Sequence, residues 1–568
     1  MVQMMHEIDV IVIGAGGGGP VVAKELGERG IKVLLLEAGP WYGHKKWPYP
    51  NQEQGAISDS NPDNLSHEIL EKYFTDYEDD MNNTVSGRFR WGPADRSKSP
   101  WFRNIPQGGF SWQNSGVGGT TLHYFANSPR ALPIAVDHVW PISYRELMPY
   151  YEKVEATLPV STAPMTTKEE LFFYGARKAG WSLLKTLNIT NPGYQPQQNA
   201  ILPPDPNIND LNYKFDGKNV GCTLRGHCIN GCHVGPTVEK IAKRSTMVSY
   251  VPLALKTGNV EVQPNTFVTK ILTEGDEKGL KAVGVCCKNT WTGETSEFKA
   301  KAVVMAAGSI ETPRLWLNSK LPDNPWVGKG LTNHWYDTIS GIFEEKVLLK
   351  ILGVPGVESY VGQTSAARFV YPGLGVIQGV GLSPGLSAAL LYALSRDYNF
   401  LRKPYRDEPW DVKGRVVGEE LKEYMMEYPR TLSVLILTDD EVNQNNKIML
   451  DPILKDEYGH IPVIKYQPSK KDKEKRDRLA VIAADMLKKA GAKKILRSDA
   501  LPNLFAHIES TMRMGYVVNT DCEAYQVKRL FVADNSVHYN SLGGSNPTLT
   551  TQALATRTAE KIIQKYFS

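Results

Sequence analysis

The chain has few cysteines, little net charge and no long apolar run. Its 568 residues include 6 cysteines, too few for the disulfide framework of a small secreted domain. The net charge is +4, and the lysines of residues 470–478 alternate with acidic residues, which favours a solvated helix face over a nucleic-acid-binding patch. The stretch nearest to a transmembrane helix, residues 376–394, is broken by glycine and proline, so we expect no spanning helix, although this stretch could contact a membrane or a partner.

Residues 1–8 lack the basic, apolar and small-residue regions of a secretory signal peptide. We therefore expect a cytoplasmic protein by default, with no export signal of its own. The chain of 568 residues is longer than one hydrophobic core usually supports, so we expect two or more domains.

A strand, a glycine-rich turn, a helix and a second strand follow one another at the start of the chain. Gly14 permits a tight turn, Gly16 lets the backbone approach a pyrophosphate, and Gly19 allows the helix to pack closely on the strand. Glu37 ends the second strand, where its carboxylate can accept hydrogen bonds from both ribose hydroxyls. The unit predicts a dinucleotide site for NAD or FAD, and a flexible glycine-rich loop is the alternative.

A second glycine cluster lies at residues 115–121. Gly118, Gly119 and Thr120 supply the close backbone and the hydroxyl that a phosphate or a flavin ring needs, although such a cluster alone is more often a turn. Four further segments have the apolar pattern of strands: residues 259–262, 267–272, 302–307 and 530–534. They place sheet structure of the first domain far downstream, so we expect the dinucleotide domain to be discontinuous.

These blocks, together with residues 307–314 and the C-terminal stretch, resemble the glucose–methanol–choline (GMC) flavoprotein oxidoreductases in order and spacing. The resemblance spans nearly the whole chain. It implies an α/β fold, with a Rossmann-like FAD-binding domain in several segments and a substrate domain built on an antiparallel sheet. It further implies that Asp534 faces the ribityl or pyrophosphate part of FAD, that the Val268 backbone reaches the adenine, and that Thr548 belongs to the cofactor site.

The predicted domain division alternates between the two parts of the fold. Residues 473–490 read as a helix that stops at Gly491, and they fall in the second part of the substrate domain. The segments are FAD-binding segment 1 with a lid insertion (1–155), substrate segment 1 (156–215), FAD-binding segment 2 with the cysteine group (216–336), substrate segment 2 (337–502) and the C-terminal FAD-binding and catalytic segment (503–568).

Two blocks near the C-terminus resemble the family's catalytic segments. Residues 507–515 look like the segment that begins with the catalytic histidine, and residues 543–550 look like the segment that holds its partner, here Asn546. Alcohol oxidation removes the O–H proton and the C–H hydride together, so a base must sit at the oxygen while flavin N5 faces the carbon. The His507 imidazole titrates near neutrality and suits that task, and the Asn546 amide can donate to the same oxygen.

Several residues of these blocks keep an ordinary structural interpretation. In isolation, His507 would be a core or surface histidine, and Asn546 would belong to a turn before a helix. Ser510 stands where the family usually has glycine, so we expect a differently shaped backbone beside the histidine. Three arginines could hold an anionic group of the cofactor or of an aldonate substrate, although a bracing ion pair is the favoured interpretation for each: Arg130, Arg314 and Arg513.

His123 follows the second glycine cluster. Residues 117–130 are similar to the segment of pyranose 2-oxidases whose histidine is attached covalently to the flavin methyl group. Most family members have asparagine near this position and bind FAD without a bond, whereas gluconate-dehydrogenase-like members also have histidine. A covalent flavin at His123 is therefore a hypothesis, and flavin released from denatured protein would exclude it.

Three cysteines, Cys222, Cys228 and Cys232, lie close together with glycines between them. Thiolates at this spacing can converge on one small cluster, and sulfur ligands select iron–sulfur or zinc. Zinc would take a fourth ligand, for which His227 or His233 is available. The pattern resembles the large subunits of bacterial gluconate, fructose, sorbitol and FAD-dependent glucose dehydrogenases, which implies a 3Fe–4S cluster; a zinc knuckle and three buried free thiols are the alternatives.

The resemblance as a whole implies an FAD-dependent dehydrogenase that oxidises a CH–OH group of a sugar, polyol, glycoside or aldonate. His507 is then the general base, Asn546 positions the substrate, and flavin N5 accepts the hydride. Electrons leave through the cysteine cluster to a haem or quinone partner such as a cytochrome. A small subunit with its own export signal would place the assembly in the periplasm or at the membrane.

Two other functions stay open from the sequence. The first is a pyranose-oxidase-like sugar oxidase that passes electrons to O₂, which predicts peroxide with substrate and air alone and no iron. The second is a flavoprotein that uses FAD structurally or in a non-redox reaction, which predicts a flavin that no sugar or alcohol bleaches.

Overall fold

A computed structural model describes most of the chain. The described residues are 7–41, 44, 104–106, 110–111, 113–204, 221–226, 228, 240–276, 279–382, 384–385, 387–388, 417–498 and 504–568. Most of the predicted lid insertion, together with Cys232, His227 and His233, lies outside them.

Short strands and longer helices alternate along the described ranges. The strands are β1 (Val10–Ile13), β2 (Val33–Leu36), β3 (Phe110–Ser111), β4 (Ser161–Thr162), β5 (Gly193–Pro196), β6 (Gln198–Asn199), β7 (Val260–Gln263), β8 (Thr266–Glu274), β9 (Lys281–Asn289), β10 (Thr295–Lys299), β11 (Ala302–Met305), β12 (Thr332–Asn333), β13 (Tyr336–Ile342), β14 (Ala367–Tyr371), β15 (Gly375–Val380), β16 (Thr431–Thr438), β17 (Lys447–Asp456), β18 (Gly459–Lys465), β19 (Lys494–Ser498), β20 (Leu504–Phe505), β21 (Ile508–Glu509) and β22 (Leu530–Val532).

The helices surround these strands, and the described part of the chain contains none that is both long enough and apolar enough to cross a membrane. They are α1 (Gly19–Gly27), α2 (Pro133–Val136), α3 (Tyr144–Thr157), α4 (Thr167–Lys178), α5 (Tyr250–Lys256), α6 (Gly308–Asn318), α7 (Glu345–Leu352), α8 (Gly418–Met426), α9 (Lys470–Lys489) and α10 (Thr548–Tyr566).

A parallel sheet forms the first layer of the fold. Its strand order is β22-β11-β1-β2-β7, and all four pairings between neighbours are parallel. Four of the strands, β1, β2, β11 and β22, are apolar and buried on both faces, as expected when helices cover a parallel sheet, whereas the edge strand β7 alternates. Because these strands come from distant parts of the sequence, the Rossmann-like sheet is assembled from separate segments, and the predicted fold class is confirmed.

An antiparallel sheet forms the second part. Its order is β19-β13-β16-β15-β14-β5, with α9 and α4 packed on one face around an aromatic and aliphatic core. The opposite face looks toward the C-terminal segment, where Tyr336, Val370, Val376 and Leu437 form a smaller apolar cluster with Leu132. A separate three-stranded antiparallel sheet, β10-β9-β8, follows β7, so the predicted strand at residues 267–272 lies in this meander and not in the parallel sheet.

Candidate active site

The two glycine clusters predicted from the sequence lie against each other. The Gly118 N–H donates to the Ala15 carbonyl over 2.8 Å, and a Cβ added to Gly119 would lie 2.7 Å from the Gly16 Cα. Gly19 opens α1, where a Cβ would lie 1.9 Å from the Gly14 carbonyl oxygen, so any side chain there would separate the helix from β1. The two turns therefore form one narrow backbone cradle.

This cradle is one wall of a groove that encloses a cavity of about 210 Å³. The groove runs from the ends of β1 and β2 past β8 to the start of α10. Eight of the predicted cofactor residues line it: Gly14, Gly16, Glu37, Gly119, Thr120, Val268, Asp534 and Thr548. Gly19, Gly118 and His123 lie behind these residues, and their predicted roles toward a cofactor stay predictions.

Glu37 joins three loops just after the end of β2. Its carboxylate accepts the Ala15 N–H over 2.8 Å, the Gly39 N–H over 2.8 Å and the Gly116 N–H over 3.0 Å. Burial raises the pKa of Glu37 to about 7, against the three donors, which favour the ionised form. Glu37 therefore ties the first glycine turn to the second, in addition to the ribose contact predicted from the sequence.

Asp534 occupies the corresponding position after β22. One carboxylate oxygen accepts the Gly308 N–H over 2.9 Å and the Thr312 hydroxyl over 2.5 Å. The other oxygen accepts the Ser536 N–H over 2.9 Å and also the Ser536 hydroxyl. The start of α6 and the segment after β22 are thus fixed to each other beside the groove, and both Gly308 and Asp534 line it.

His507 lies between two residues that line this groove, Ala506 and Ile508. Its Nδ1 is 2.8 Å from the Nδ1 of His334, and the two rings are nearly perpendicular. The pair forms because β12 and β21 run antiparallel with Asn333 opposite Ile508, so the next residue on each side meets its counterpart. His334 was not predicted, since only this pairing across distant segments brings it to the site.

The hydrogen bonds of this pair fix the tautomer of both rings. The Nε2 of His334 is 2.9 Å from the Ser541 carbonyl oxygen, which can only accept, so His334 carries its hydrogen on Nε2. Its Nδ1 therefore accepts, and the Nδ1–H of His507 donates to it. The Nε2 of His507 is left with a lone pair, which is the form that a general base requires.

Both imidazoles are held neutral. Burial lowers the pKa of His334 to about 4, and burial together with the neighbouring His334 lowers the pKa of His507 well below its usual value. The His507 side chain nevertheless keeps an intermediate exposure, so part of the ring stays accessible in these dense surroundings. The site therefore contains a neutral histidine base around physiological pH.

A second buried pair lies behind the histidines. Glu509 and His538 are both fully buried, and the His538 Nδ1 is 3.3 Å from a Glu509 carboxyl oxygen. Burial and two nearby aspartates raise the pKa of Glu509 well above its usual value, and burial lowers the pKa of His538 to about 3. Neither residue was predicted from the sequence, because isolated Glu and His residues carry no motif.

Asn546 lies just before α10 and is 7% exposed. Its side-chain carbonyl accepts the Gln378 amide from the centre of β15 over 2.5 Å. This contact turns the Asn546 oxygen toward the sheet, so its NH₂ group remains available as the donor. The predicted role of Asn546 as a substrate donor stays a prediction, and the Gln378 contact supplies a physical reason for its orientation.

Ser510 adopts a left-handed backbone conformation of the kind that glycine favours. Its φ is +71°, and its hydroxyl is 3.3 Å from the Thr332 hydroxyl. A side chain in this left-handed region costs on the order of 1–2 kcal/mol. The expectation that the backbone beside His507 differs in shape from that of the family stays a prediction.

The predicted metal site is only partly described. Cys222 and Cys228 are buried, and the sulfur of each accepts a backbone N–H, from Leu224 over 3.4 Å and from Thr364 over 3.5 Å. The described residues contain no group of three or more His, Cys, Asp or Glu side chains that could hold a metal ion. The third predicted ligand, Cys232, lies outside the described residues, so the site stays a prediction.

The three arginines considered for anion binding have partners in the chain. Arg130 pairs with Glu155 and Arg314 with Glu311 and Asp456. The Arg513 Nε donates to the Tyr539 carbonyl over 2.7 Å, and the Arg513 guanidinium stacks on the aromatic ring of Tyr539. Arg130 and Arg314 therefore form the ion pairs that the sequence favoured, whereas the described contacts of Arg513 are a backbone carbonyl and aromatic rings.

The parallel sheet, the glycine cradle and the neutral histidine together define a dinucleotide-binding oxidoreductase with a separate substrate sheet. Two family models, each described as GMC oxidoreductase, match residues 208–336 and 443–555. The chain therefore matches the GMC oxidoreductases over these two stretches, and it is an FAD-dependent oxidoreductase that acts on CH–OH groups.

Relatives of this family match along the full chain. The 2-methyl-1,2-propanediol dehydrogenase of Mycolicibacterium austroafricanum is 26% identical over 619 aligned residues, which cover 100% of this chain and 97% of the relative. The fructose dehydrogenase large subunit of Gluconobacter japonicus is 25% identical over 597 residues, covering 98% and 97%. The solved structure of pyridoxine 4-oxidase from Mesorbium loti covers 99% of this chain and 100% of its own, with 15% identity and a TM-score of 0.59, and it shows the shared fold alone.

Proposed function

We propose that this chain is a dehydrogenase for a sugar, polyol, glycoside or aldonate, with His507 as general base and Asn546 as the donor that positions the reacting hydroxyl. The observation that carries the proposal is the His334–His507 pair, which leaves a lone pair on the neutral Nε2 of His507. The relatives named as fructose dehydrogenase and 2-methyl-1,2-propanediol dehydrogenase support the substrate class.

The cofactor groove suits FAD. Its glycine cradle admits a pyrophosphate, the N-terminus of α10 begins at Thr548, and Glu37 and Asp534 stand at its two strand ends. Bound FAD supplies a two-electron acceptor for the hydrogen that leaves the alcohol carbon.

The side chains divide the remaining work between them. The Nε2 of His507 takes the hydroxyl proton, while the Nδ1–H stays bonded to His334 and keeps the ring from rotating. The Asn546 NH₂ group donates to the alcohol oxygen and holds it near the base, since Gln378 occupies its carbonyl. The imidazolium formed by proton transfer is destabilised by burial, which favours release of the proton after the reaction.

Anaerobic mixing with alcohols tests this function. Protein that holds its flavin is mixed with gluconate, glucitol or 2-methyl-1,2-propanediol, and the visible flavin absorbance is followed. Bleaching by at least one alcohol is the expected result, and no bleaching by any of them would favour the structural flavoprotein. Peroxide production in air with the same alcohol would instead identify an oxidase.

Acid denaturation is a separate test of the covalent bond at His123. Flavin that stays with the precipitated protein would support the bond, and flavin released into the supernatant would exclude it.

We propose that electrons leave the flavin through the cysteine loop, the segment that contains Cys222, Cys228 and Cys232. Lys243 connects it to the flavin segment, because its ammonium donates to the Leu122 carbonyl over 2.7 Å and to the Cys228 carbonyl. Backbone N–H donors to the Cys222 and Cys228 sulfurs are contacts that stabilise thiolate ligands. With Cys232, these residues would hold an iron–sulfur cluster, which accepts electrons singly and could serve a haem or quinone partner or a small subunit.

Iron analysis of anaerobically purified protein tests this exit. We expect about three iron atoms per chain, as a three-cysteine cluster holds, and their loss in Cys228→Ser. Cys286→Ser is the matched control, because Cys286 lies on β9, away from the loop, and should keep the iron. Wild-type protein without iron or with stoichiometric zinc would contradict the proposal.

A further inference from the structure

Arg368 is a buried arginine whose charge has no hydrogen-bonding partner among the described residues. Its side chain is 0% exposed, and none of its three guanidinium nitrogens has such a partner in the described ranges. Buried arginines are normally paired, because an unpaired charge in the interior carries a large desolvation cost. The buried Arg314 and Arg497 follow this rule, since each contacts two carboxylates.

The position of Arg368 in the sheet explains where its charge is directed. Four residues are successive neighbours across strands β16, β15, β14 and β5: Leu435, Gln378, Arg368 and Gln195. Such cross-strand neighbours share a face of an antiparallel sheet. Gln378 is the residue that donates to Asn546, so Arg368 lies on the same face as the substrate donor and next to its support.

The face of the sheet that carries Arg368 also carries a residue next to the proposed general base, His507. Tyr336, on β13, has its ring 5.5 Å from the His507 ring, and its hydroxyl has no hydrogen-bonding partner among the described residues. The positive charge of Arg368 also contributes to the low pKa of His334, after the larger effect of burial. Burial lowers the pKa of Arg368 itself to about 9, and no carboxylate acts against that shift.

We propose that Arg368 binds the carboxylate of an anionic substrate, a hydroxy acid of the aldonate class, and selects it over the matching neutral polyol. This inference rests on the proposed function, because it assigns a substrate class to the same site. A planar guanidinium donates two parallel N–H groups to the two oxygens of a carboxylate. The ligand thereby supplies the missing anion, while His507 and Asn546 bind the hydroxyl of another carbon.

Gluconate and glucitol provide a matched pair of substrates, since they differ in one terminal carboxylate. We expect wild-type protein to favour gluconate in kcat/KM, and Arg368→Gln to lower the ratio of gluconate to glucitol by about 100-fold, because a buried charge pair loses one partner. Arg368→Lys keeps the charge without the planar fork and should retain part of the preference. Arg130→Gln, at the paired Arg130, is the control and should leave the ratio unchanged.

An unchanged ratio in Arg368→Gln would overturn the proposal even if the flavin still bleached with both alcohols. That outcome differs from failure of the proposed function, in which no alcohol bleaches the flavin.

Thermal unfolding gives a readout that does not depend on turnover. Hexanoate, a carboxylate without a hydroxyl group, should raise the Tm of wild-type protein and leave that of Arg368→Met unchanged. Without hexanoate, Arg368→Met should be more heat-stable than wild type, because an apolar chain replaces an unpaired buried charge. A lower Tm for Arg368→Met, or failure of this variant to fold, would instead assign Arg368 a structural role and overturn the proposal.

Discussion

Buried polar groups have different partners in the cofactor groove and on one face of the antiparallel sheet. We call this second region, which carries Tyr336, Arg368 and Gln378, the substrate face. In the groove, the carboxylates of Glu37 and Asp534 accept hydrogen bonds from donors of the chain itself. On the substrate face, the Arg368 guanidinium and the Tyr336 hydroxyl have no such partner among the described residues. A polar group that the chain satisfies rigidifies the fold, whereas one left for a ligand provides recognition.

The two regions also differ in charge. The groove ends in carboxylates held by backbone N–H groups, and the substrate face combines two neutral histidines with one buried guanidinium. Burial keeps both histidines neutral, and the charge of Arg368 acts in the same direction on the pKa of His334. Chemistry and anion recognition can therefore occur side by side on one face.

Removal of the general base His507 should have the largest effect, and this effect is on the rate of flavin bleaching. His507→Ala should slow anaerobic flavin bleaching by about 10³-fold, the usual contribution of a general base, while the groove still binds FAD. His460→Ala is the control, because His460 lies on β18 and its Nδ1 contacts a backbone carbonyl outside the histidine pair. Bleaching by His507→Ala at the wild-type rate would show that another group takes the proton.

Two glycine substitutions separate packing from cofactor binding inside the groove. Gly19→Ala places a Cβ 1.9 Å from the Gly14 oxygen and should destabilise the fold by several kcal/mol. Gly16→Ala meets nothing nearer than the Gly119 Cα at 4.0 Å, so it should fold normally but weaken FAD binding by about 10-fold or more. Chemical denaturation measures the loss of stability, and flavin titration measures the loss of FAD affinity. A Gly16→Ala protein with wild-type FAD affinity would contradict the prediction that the cofactor pyrophosphate lies close to the Gly16 backbone.

Removal of the histidine partner should have a smaller effect on rate but a distinct effect on pH dependence. His334→Ala frees the His507 ring to change tautomer, which should cost about 10–100-fold in kcat/KM. His334 also lowers the pKa of His507, so its loss should move the acidic limb of the pH–rate profile to higher pH.

The lowered pKa of His507 also determines where the acidic limb of the wild-type pH–rate profile lies. A lowered pKa keeps His507 unprotonated as the pH falls, so kcat/KM should stay constant from pH 7 to below the ordinary histidine value of about 6.5. His334→Gln keeps a hydrogen-bond acceptor and should recover part of the rate. If His334→Ala lowers the rate without moving the limb, His334 has only a structural role.

The smallest expected effect is at Ser510. Ser510→Gly removes a strained left-handed φ but loses the Thr332 contact and adds freedom to the unfolded chain, so we expect a gain of about 0–1 kcal/mol. Ser510→Ala keeps the strain and loses the contact, and it should lower the free energy of unfolding. Urea denaturation compares the three proteins, and an Ala variant more stable than the Gly variant would contradict this order.

Local patterns allowed much of the groove to be predicted. The glycine turn, Glu37 and the strands at residues 302–307 and 530–534 belong to short contiguous motifs whose spacing defines their geometry. Helix α9 begins at Lys470, three residues before the predicted start, because Ser469 and Asp472 form a capping box inside the lysine-rich run. Such differences concern only the ends of an element.

The substrate face could not be predicted in the same way. His334 and His507 are 173 residues apart, and Gln378 and Asn546 are 168 residues apart, so their contacts depend on how distant strands pair. Arg368 lies in the apolar-looking strand β14, where one charged residue carries no motif. Its lack of a partner becomes visible only when the neighbouring strands are in place.

The tautomer of His507 is the central claim, and ¹⁵N NMR of histidine-labelled protein measures it most directly. His507→Ala and His334→Ala identify the two sets of signals among the 11 histidines. We expect His507 to carry its hydrogen on Nδ1 and His334 to carry its hydrogen on Nε2 at neutral pH, with both rings uncharged. A His507 ring protonated on Nε2, or on both nitrogens, would leave no lone pair on Nε2 for the alcohol proton and would exclude His507 as the base in this form.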